Sequence, residues 1–231
     1  MTTTILFTGA VQMLLLLLSI SAHESAHAWV ADRRGDSTSR LLGRISLNPL
    51  RHLDPFGTLI LPLALVAFGL PVFGWGRPPL VLGKNLRRPY WDSLLIAGAG
   101  PAANLLLALL ATVAIGVAAT KLGPDGREAA TKALFEQTDA ATGRLGGFPL
   151  MFTLVRMATL NAFLAVFNLL PLPPLDGGQI ALLLLPADWA AKLAALRPYG
   201  FMIGIVLAMV GVVTVVLLPF YGVLSVVINL L

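Results

Sequence analysis

The 231-residue sequence contains no cysteine. That excludes a disulfide framework and any thiolate metal site, so a metal would have to be held by imidazole and carboxylate. Charge is scarce as well, with Asp, Glu, Lys and Arg at 12% of the chain against roughly 25% in soluble domains. The net charge of +5 lies in short loops and not in a basic domain, which fits anionic lipid headgroups and argues against nucleic acid as a partner. The opening stretch MTTTILFTGAVQ carries no Lys or Arg and no convincing cleavage site follows it. The first apolar run is therefore expected to be a mature helix and not a signal peptide. No internal repeat and no low-complexity tract is present.

Apolar residues are abundant, at 57% of the chain with a mean hydropathy of +0.85. An α-helical polytopic membrane protein of about four to six membrane segments is expected, as one domain over residues 1–231. Segments 5–31, 93–120, 150–170 and 198–218 each reach the roughly 20 apolar residues that a helix needs to cross the hydrocarbon core. The tail 219–231 is apolar but short for a span of its own. Segment 56–74, FGTLILPLALVAFGLPVFG, contains Pro62, Gly69 and Pro71, which kink or break a helix. Its flanking loops carry Arg33, Arg34, Arg40, Arg44 and Arg51 on one side and Arg77, Lys84, Arg87 and Arg88 on the other. Both loops read as cytoplasmic by the positive-inside rule. A hairpin that enters and leaves on one side, turning near Ala67 to Pro71, satisfies both.

The loop 121–149 has four basic and four acidic residues and can be external, as can the N-terminus. GRISLNPLRHLDPFG and FGWGRPPLVLGKNLRRP are rich in Pro, Gly and β-formers, so short strands or extended segments are expected near the site. Trp29, Trp75, Tyr90 and Trp91 fit an interfacial aromatic belt, and Arg156 fits a side chain snorkelling to the external interface.

His23 and His27 are four residues apart, which on a helix puts both imidazoles on one face within reach of one ion. Glu24 lies beside them. In an H-E-x-x-H arrangement the histidines bind zinc and the glutamate acts as general base on water. Such ionisable groups cost at least about 2.5–3.5 kcal/mol each when charged in mid-membrane, so a cluster of three demands a partner or a role. A catalytic zinc shell needs a third protein ligand. His52, Asp32, Asp36, Asp54, Asp92, Asp176 and Asp188 are the candidates outside the external loop. Asp176 follows an apolar helix that ends in prolines, where a broken backbone can turn a carboxylate into a protein-lined cavity. It could also cap the helix from Gly177 to Leu185, and the two roles do not exclude each other. His52 and Asp54 sit in a polar loop, where a solvated side chain is the default and a role in supporting the ligands or gating is the alternative.

HESAH (23–27), AGPAANL (99–105) and FNLLPLPPLDGG (167–178), in this order and each at a membrane segment, resemble the site-2 protease family of intramembrane zinc metalloproteases. GRISLNPLRHLDPFGT and FGWGRPPLV resemble its compact prokaryotic branch without a PDZ domain, with Arg77 where that branch often has lysine. The resemblance implies one Zn²⁺ per chain held by His23, His27 and Asp176, with Glu24 as general base. It implies substrate-backbone or oxyanion contacts for Asn168 and for Asn104. The catalytic core would be about 5–186, followed by a C-terminal helical region of about 198–231, in a bacterial or archaeal cell membrane. The implied reaction is hydrolysis of a peptide bond in or near a transmembrane segment of another protein, as in regulated intramembrane proteolysis. An extended edge at Val72 to Leu82 would receive the substrate main chain, although Pro78 and Pro79 shorten it. Homo-oligomerisation is left open. The competing reading is a zinc transporter or non-hydrolytic metal-binding membrane protein, which would need no base at Glu24.

Overall fold

Backbone groups in hydrocarbon must be bonded within their own segment, so apolar runs free of breakers become long helices. A computed structural model describes residues 2–68, 72–135 and 149–230. Residues 136–148 of the loop 121–149 expected to be external, and residues 69–71 of the expected turn, lie outside the described residues. Helix α1 is Thr2–Arg34, with Arg33 and Arg34 in its last turn, where cations favour the negative helix end. A short helix α2, Thr38–Leu41, follows. A π-helical turn, Pro55–Ile60, then leads into α3, Leu61–Ala67. Helix α4, Pro89–Phe135, starts where the Asp92 carboxylate accepts the Arg88 N–H at 2.7 Å, and it is broken at Gly123, whose φ is 66°. Helix α5, Pro149–Asn168, ends before the prolines at 171, 173 and 174. Next come α6 (Asp176–Leu184), α7 (Ala187–Ala194), α8 (Arg197–Met209) and α9 (Val212–Leu230).

Among the described residues four helices are long and apolar enough to cross a membrane: Thr8–Arg34, Pro89–Glu128, Pro149–Asn168 and Val212–Asn229. A fifth span arises only if α7 and α8, bent by 75°, are counted together. The protein is thus an α-helical multi-pass membrane protein. The expected span 198–218 is not one helix. It breaks at Gly211, with φ of 88°, where glycine ends α8 in the left-handed conformation. Residues 219–229 of the supposed tail instead belong to the last span. Apolarity is continuous across this region, so hydropathy alone does not locate the break.

Helix α4 packs against α1, α5 and α9. Ala111 and Ala158 are small enough to let helices approach, and Ile115, Met151, Leu224 and Ile228 fill the same cluster, fully buried. A second cluster joins Phe167 and Leu175 to Val213 and Leu217, fixing the end of α5 and the start of α6 against α9. A third sets Leu16 and Ile20 of α1 against Leu164 of α5. Leu106, Leu109, Leu110, Val113 and Val117 of α4 are exposed, as a lipid-facing stripe would be.

The segment from Pro55 to Ala67 reaches about 20 Å at 1.5 Å per residue, short of the roughly 30 Å hydrocarbon core. Its ends meet. The Trp75 N–H donates to Gly57 O at 3.2 Å and the Arg77 N–H to His52 O at 2.8 Å. The chain from Val72 to Leu82 is extended, but among the described residues no strand forms. Pro78 and Pro79 have no N–H with which to continue a ladder. Asp36, fully buried, closes the far end by accepting from Thr38, from the Leu82 N–H at 2.6 Å and from Asn85 Nδ2 at 2.9 Å. Trp29, Tyr90 and Trp91 are exposed as a belt requires, whereas Trp75 packs between Phe56 and Phe201, its ring 4.4 Å from the latter. Arg156 lies over the Phe152 ring at 5.3 Å.

Candidate functional site

The helical repeat places His23 and His27 on one face of α1, and that face packs on α4. His27 Nδ1–H donates to the Ile96 carbonyl at 2.6 Å. A carbonyl only accepts, so the proton sits on Nδ1 and the Nε2 lone pair is free. His23 Nδ1 is 2.6 Å from Asn104 Oδ1. The amide orientation follows from the chain of bonds behind it. Asn104 Nδ2 donates to Asn161 Oδ1 at 2.9 Å, Asn161 Nδ2 donates to Ser19 Oγ and to Met157 O at 2.9 Å each, and Ser19 Oγ–H donates to Leu15 O at 2.7 Å. Ser19, Asn104 and Asn161 are all completely buried. Every donor in this chain faces an acceptor, and the arrangement turns Nε2 of His23 toward Nε2 of His27.

Those two nitrogens are 3.1 Å apart. Asp176 completes a triangle, with Oδ2 at 3.2 Å from His23 Nε2 and Oδ1 at 3.4 Å from His27 Nε2. Three acceptors converge with no donor among them, and Asp176 Oδ2 is buried without a hydrogen-bond partner. Such a set calls for a cation. Two ligands at about 2.0–2.1 Å from one tetrahedral zinc lie about 3.3 Å apart, close to all three observed edges. The donor set therefore fits zinc. Asp176 is the first residue of α6, Leu175 is its N-cap, and no side-chain cap bond forms. The carboxylate faces the histidines, so the capping alternative is not realised. The helix N-terminus still favours its negative charge.

Glu24 is buried, and the extended segment crosses it at Gly76. A Cβ added to Gly76 would come within 3.3 Å of Glu24 Oε1 and 2.5 Å of Ile20 Cγ2. Only a glycine lets the backbone approach so closely. Asn168 sits half-buried at the end of α5, its Nδ2 donating to Leu164 O at 2.9 Å. Asn104 has both ends of its amide engaged within the bundle. His52 is buried away from the cluster, with Nε2 2.7 Å from Ser46 O. Asp54 caps the π-helical turn through the Phe56 and Gly57 N–H groups. Among the described residues the only metal-capable group of three is His23, His27 and Asp176. Sequence reasoning passed over Asn161. Its signal was available, because it lies seven residues before Asn168, on the same helical face of an apolar segment where an amide is costly.

Residues 11–211 match the model of peptidase family M50, the site-2 protease family. The chain belongs to that family. It is 36% identical over 204 residues to "Putative zinc metalloprotease YwhC" of Bacillus subtilis (strain 168), covering 88% of this chain and 82% of that protein. It is 32% identical over 196 residues to "Putative zinc metalloprotease Rip2" of Mycolicibacterium smegmatis, covering 83% of this chain and 63% of that protein. No solved structure gives a significant match. This M50 member is accordingly a membrane zinc metalloprotease.

Proposed function

We infer that this M50 peptidase hydrolyses a peptide bond in or next to a transmembrane segment of another membrane protein, as in regulated intramembrane proteolysis. His23, His27 and Asp176 hold the zinc and Glu24 is the general base. One observation carries the reading: three converging acceptors with no donor among them, two of them on buried histidines, beside a buried glutamate, under an extended backbone. His23 lies 11 residues before the Arg34 end of α1, about 16 Å at 1.5 Å per residue. Cleavage therefore falls inside the membrane, toward the side that carries the basic loops.

Zinc, when bound, polarises the scissile carbonyl and lowers the pKa of water to about 7. Glu24 takes the proton from the attacking water as its oxygen adds to the carbonyl carbon. It then passes that proton to the leaving amine as the C–N bond breaks. The burial of Glu24 beneath Gly76 keeps bulk water from competing for the proton. Asn104 holds His23 in the Nδ1–H tautomer, a positioning role. Asn168, half-buried at the end of α5, contacts the substrate backbone. The substrate lies extended along Val72 to Leu82, pairing through its main chain.

The test is co-expression of wild type and Glu24→Gln with single-span membrane proteins. Fragments should accumulate with the wild type and be absent with the variant, while both proteins carry zinc. Equal fragment yields with Glu24→Gln would remove the glutamate from the mechanism.

A further inference from the structure

We propose that Gly100 is a positioning residue that holds open the volume in which the ion sits between His23 and His27. The inference rests on the ligand assignment above. Residues 96, 100 and 104 are four apart on α4, so they share one face, and that face meets the two imidazoles. Ile96 O anchors His27 and Asn104 Oδ1 anchors His23, each at 2.6 Å. Gly100 lies between the anchors, under the gap where the two Nε2 atoms converge.

A Cβ at Gly100 would lie 2.5 Å from His23 Cε1, 2.6 Å from His23 Nε2 and closer still to His27 Nε2. All three nearest atoms belong to the imidazoles, and two are the metal-facing nitrogens. A methyl at that spacing takes the place of an ion that needs about 2.0–2.1 Å to each nitrogen. The far end of a flexible side chain could swing away. These rings cannot do so freely, because each is buried and pinned through Nδ1. Gly98, two residues away on α4, makes the contrast: a Cβ there meets nothing within 4 Å.

An ordinary explanation for a glycine at this place is close helix packing, since small residues let membrane helices approach. The two roles separate in the metal-free protein. A packing glycine, once changed, destabilises the fold whether or not the histidines are present. A void-forming glycine does so only through the imidazoles, and its main loss is zinc.

Wild type, Gly98→Ala, Gly100→Ala, His23→Ala/His27→Ala and the corresponding triple variant with Gly100→Ala are purified, stripped with chelator and titrated with zinc. Bound metal and unfolding temperature are read for each. Wild type and Gly98→Ala should take up about one equivalent and gain stability from it. Gly100→Ala should bind zinc about 100-fold more weakly, at the upper end of the effects of altered ligand support, and gain none. In the chelated state the triple variant should unfold where the histidine double variant does, because the methyl then has room. Wild-type zinc affinity in Gly100→Ala would overturn the proposal. So would equal destabilisation by Gly100→Ala, or failure to fold, in both the presence and the absence of the rings. If the histidine double variant keeps its zinc, the ligand assignment itself falls; if it loses zinc while Gly100→Ala keeps it, only the role of Gly100 falls.

Discussion

Glu24 and the three converging acceptors are neighbours whose removal has different consequences. Glu24 forms no edge of the triangle, so Glu24→Gln should retain zinc and lose about 10²- to 10⁴-fold in rate, the usual span for a general base. Asp176→Ala should lose zinc in metal analysis, whereas His52→Ala should keep it, because His52 bonds Ser46 O and lies outside the cluster. The reverse pattern would show that the wrong third ligand has been named. Asn161 makes a different kind of prediction. An interhelical hydrogen bond in a membrane averages about 0.6 kcal/mol, but Asn161→Leu also leaves Asn104 Nδ2 buried without its acceptor. The expected cost is therefore about 1–3 kcal/mol. Asn161→Asp keeps an acceptor for Asn104 but loses the donor to Ser19 Oγ and Met157 O and buries an ionisable group, so it should recover none of that cost in an unfolding titration.

At the scale of elements, the stretch from Pro55 to Leu82 is defined by its closure. Two main-chain bonds, Trp75 to Gly57 and Arg77 to His52, bring the segment back to where it began, and nine basic residues lie in the loops on either side of 56–74. We expect both flanks to be cytoplasmic. Ser39 is a poor place to probe this, being fully buried with Oγ bonded to Leu80 O at 2.6 Å. Leu42 and Lys84 are exposed, and the native chain has no cysteine to interfere. Leu42→Cys and Lys84→Cys should both react with an impermeant maleimide only after the cytoplasmic face is opened. Reaction of Lys84→Cys alone in intact cells would mean that the segment crosses.

For the whole molecule, zinc held by His23, His27 and Asp176 as proposed would tie α1 to α6 across the bundle, a site that only the folded chain assembles. At a free concentration 100 times its dissociation constant it would add about 2.7 kcal/mol. At about 2–4 °C per kcal/mol for a chain of this size, chelation should lower Tm by about 5–10 °C. The same treatment should leave His23→Ala/His27→Ala unmoved. A chelator-insensitive Tm in the wild type would show that the ion does not bridge these helices. Metal analysis should give one zinc per chain, since the described residues form one such triangle.

The sequence by itself determined the membrane character, through continuous apolar runs and scarce charge, and it singled out the pair His23 and His27, because a spacing of four on a helix is a geometric statement. It also marked Asp176, by the prolines that stop α5. Three matters were decided only by the tertiary structure. Gly211 splits the apolar region after 198 into α8 and α9, a break set by one backbone dihedral inside uniform hydrophobicity. Trp75 lies among Phe56 and Phe201 and not in the belt, because hydropathy treats a lipid-facing ring and a packed ring alike. The support for the imidazoles, Ile96 O, Asn104, Asn161 and the bare Gly100, comes from two other helices at distances of tens of residues along the chain. Periodicity describes the face of one helix, and what that face meets depends on how the helices pack.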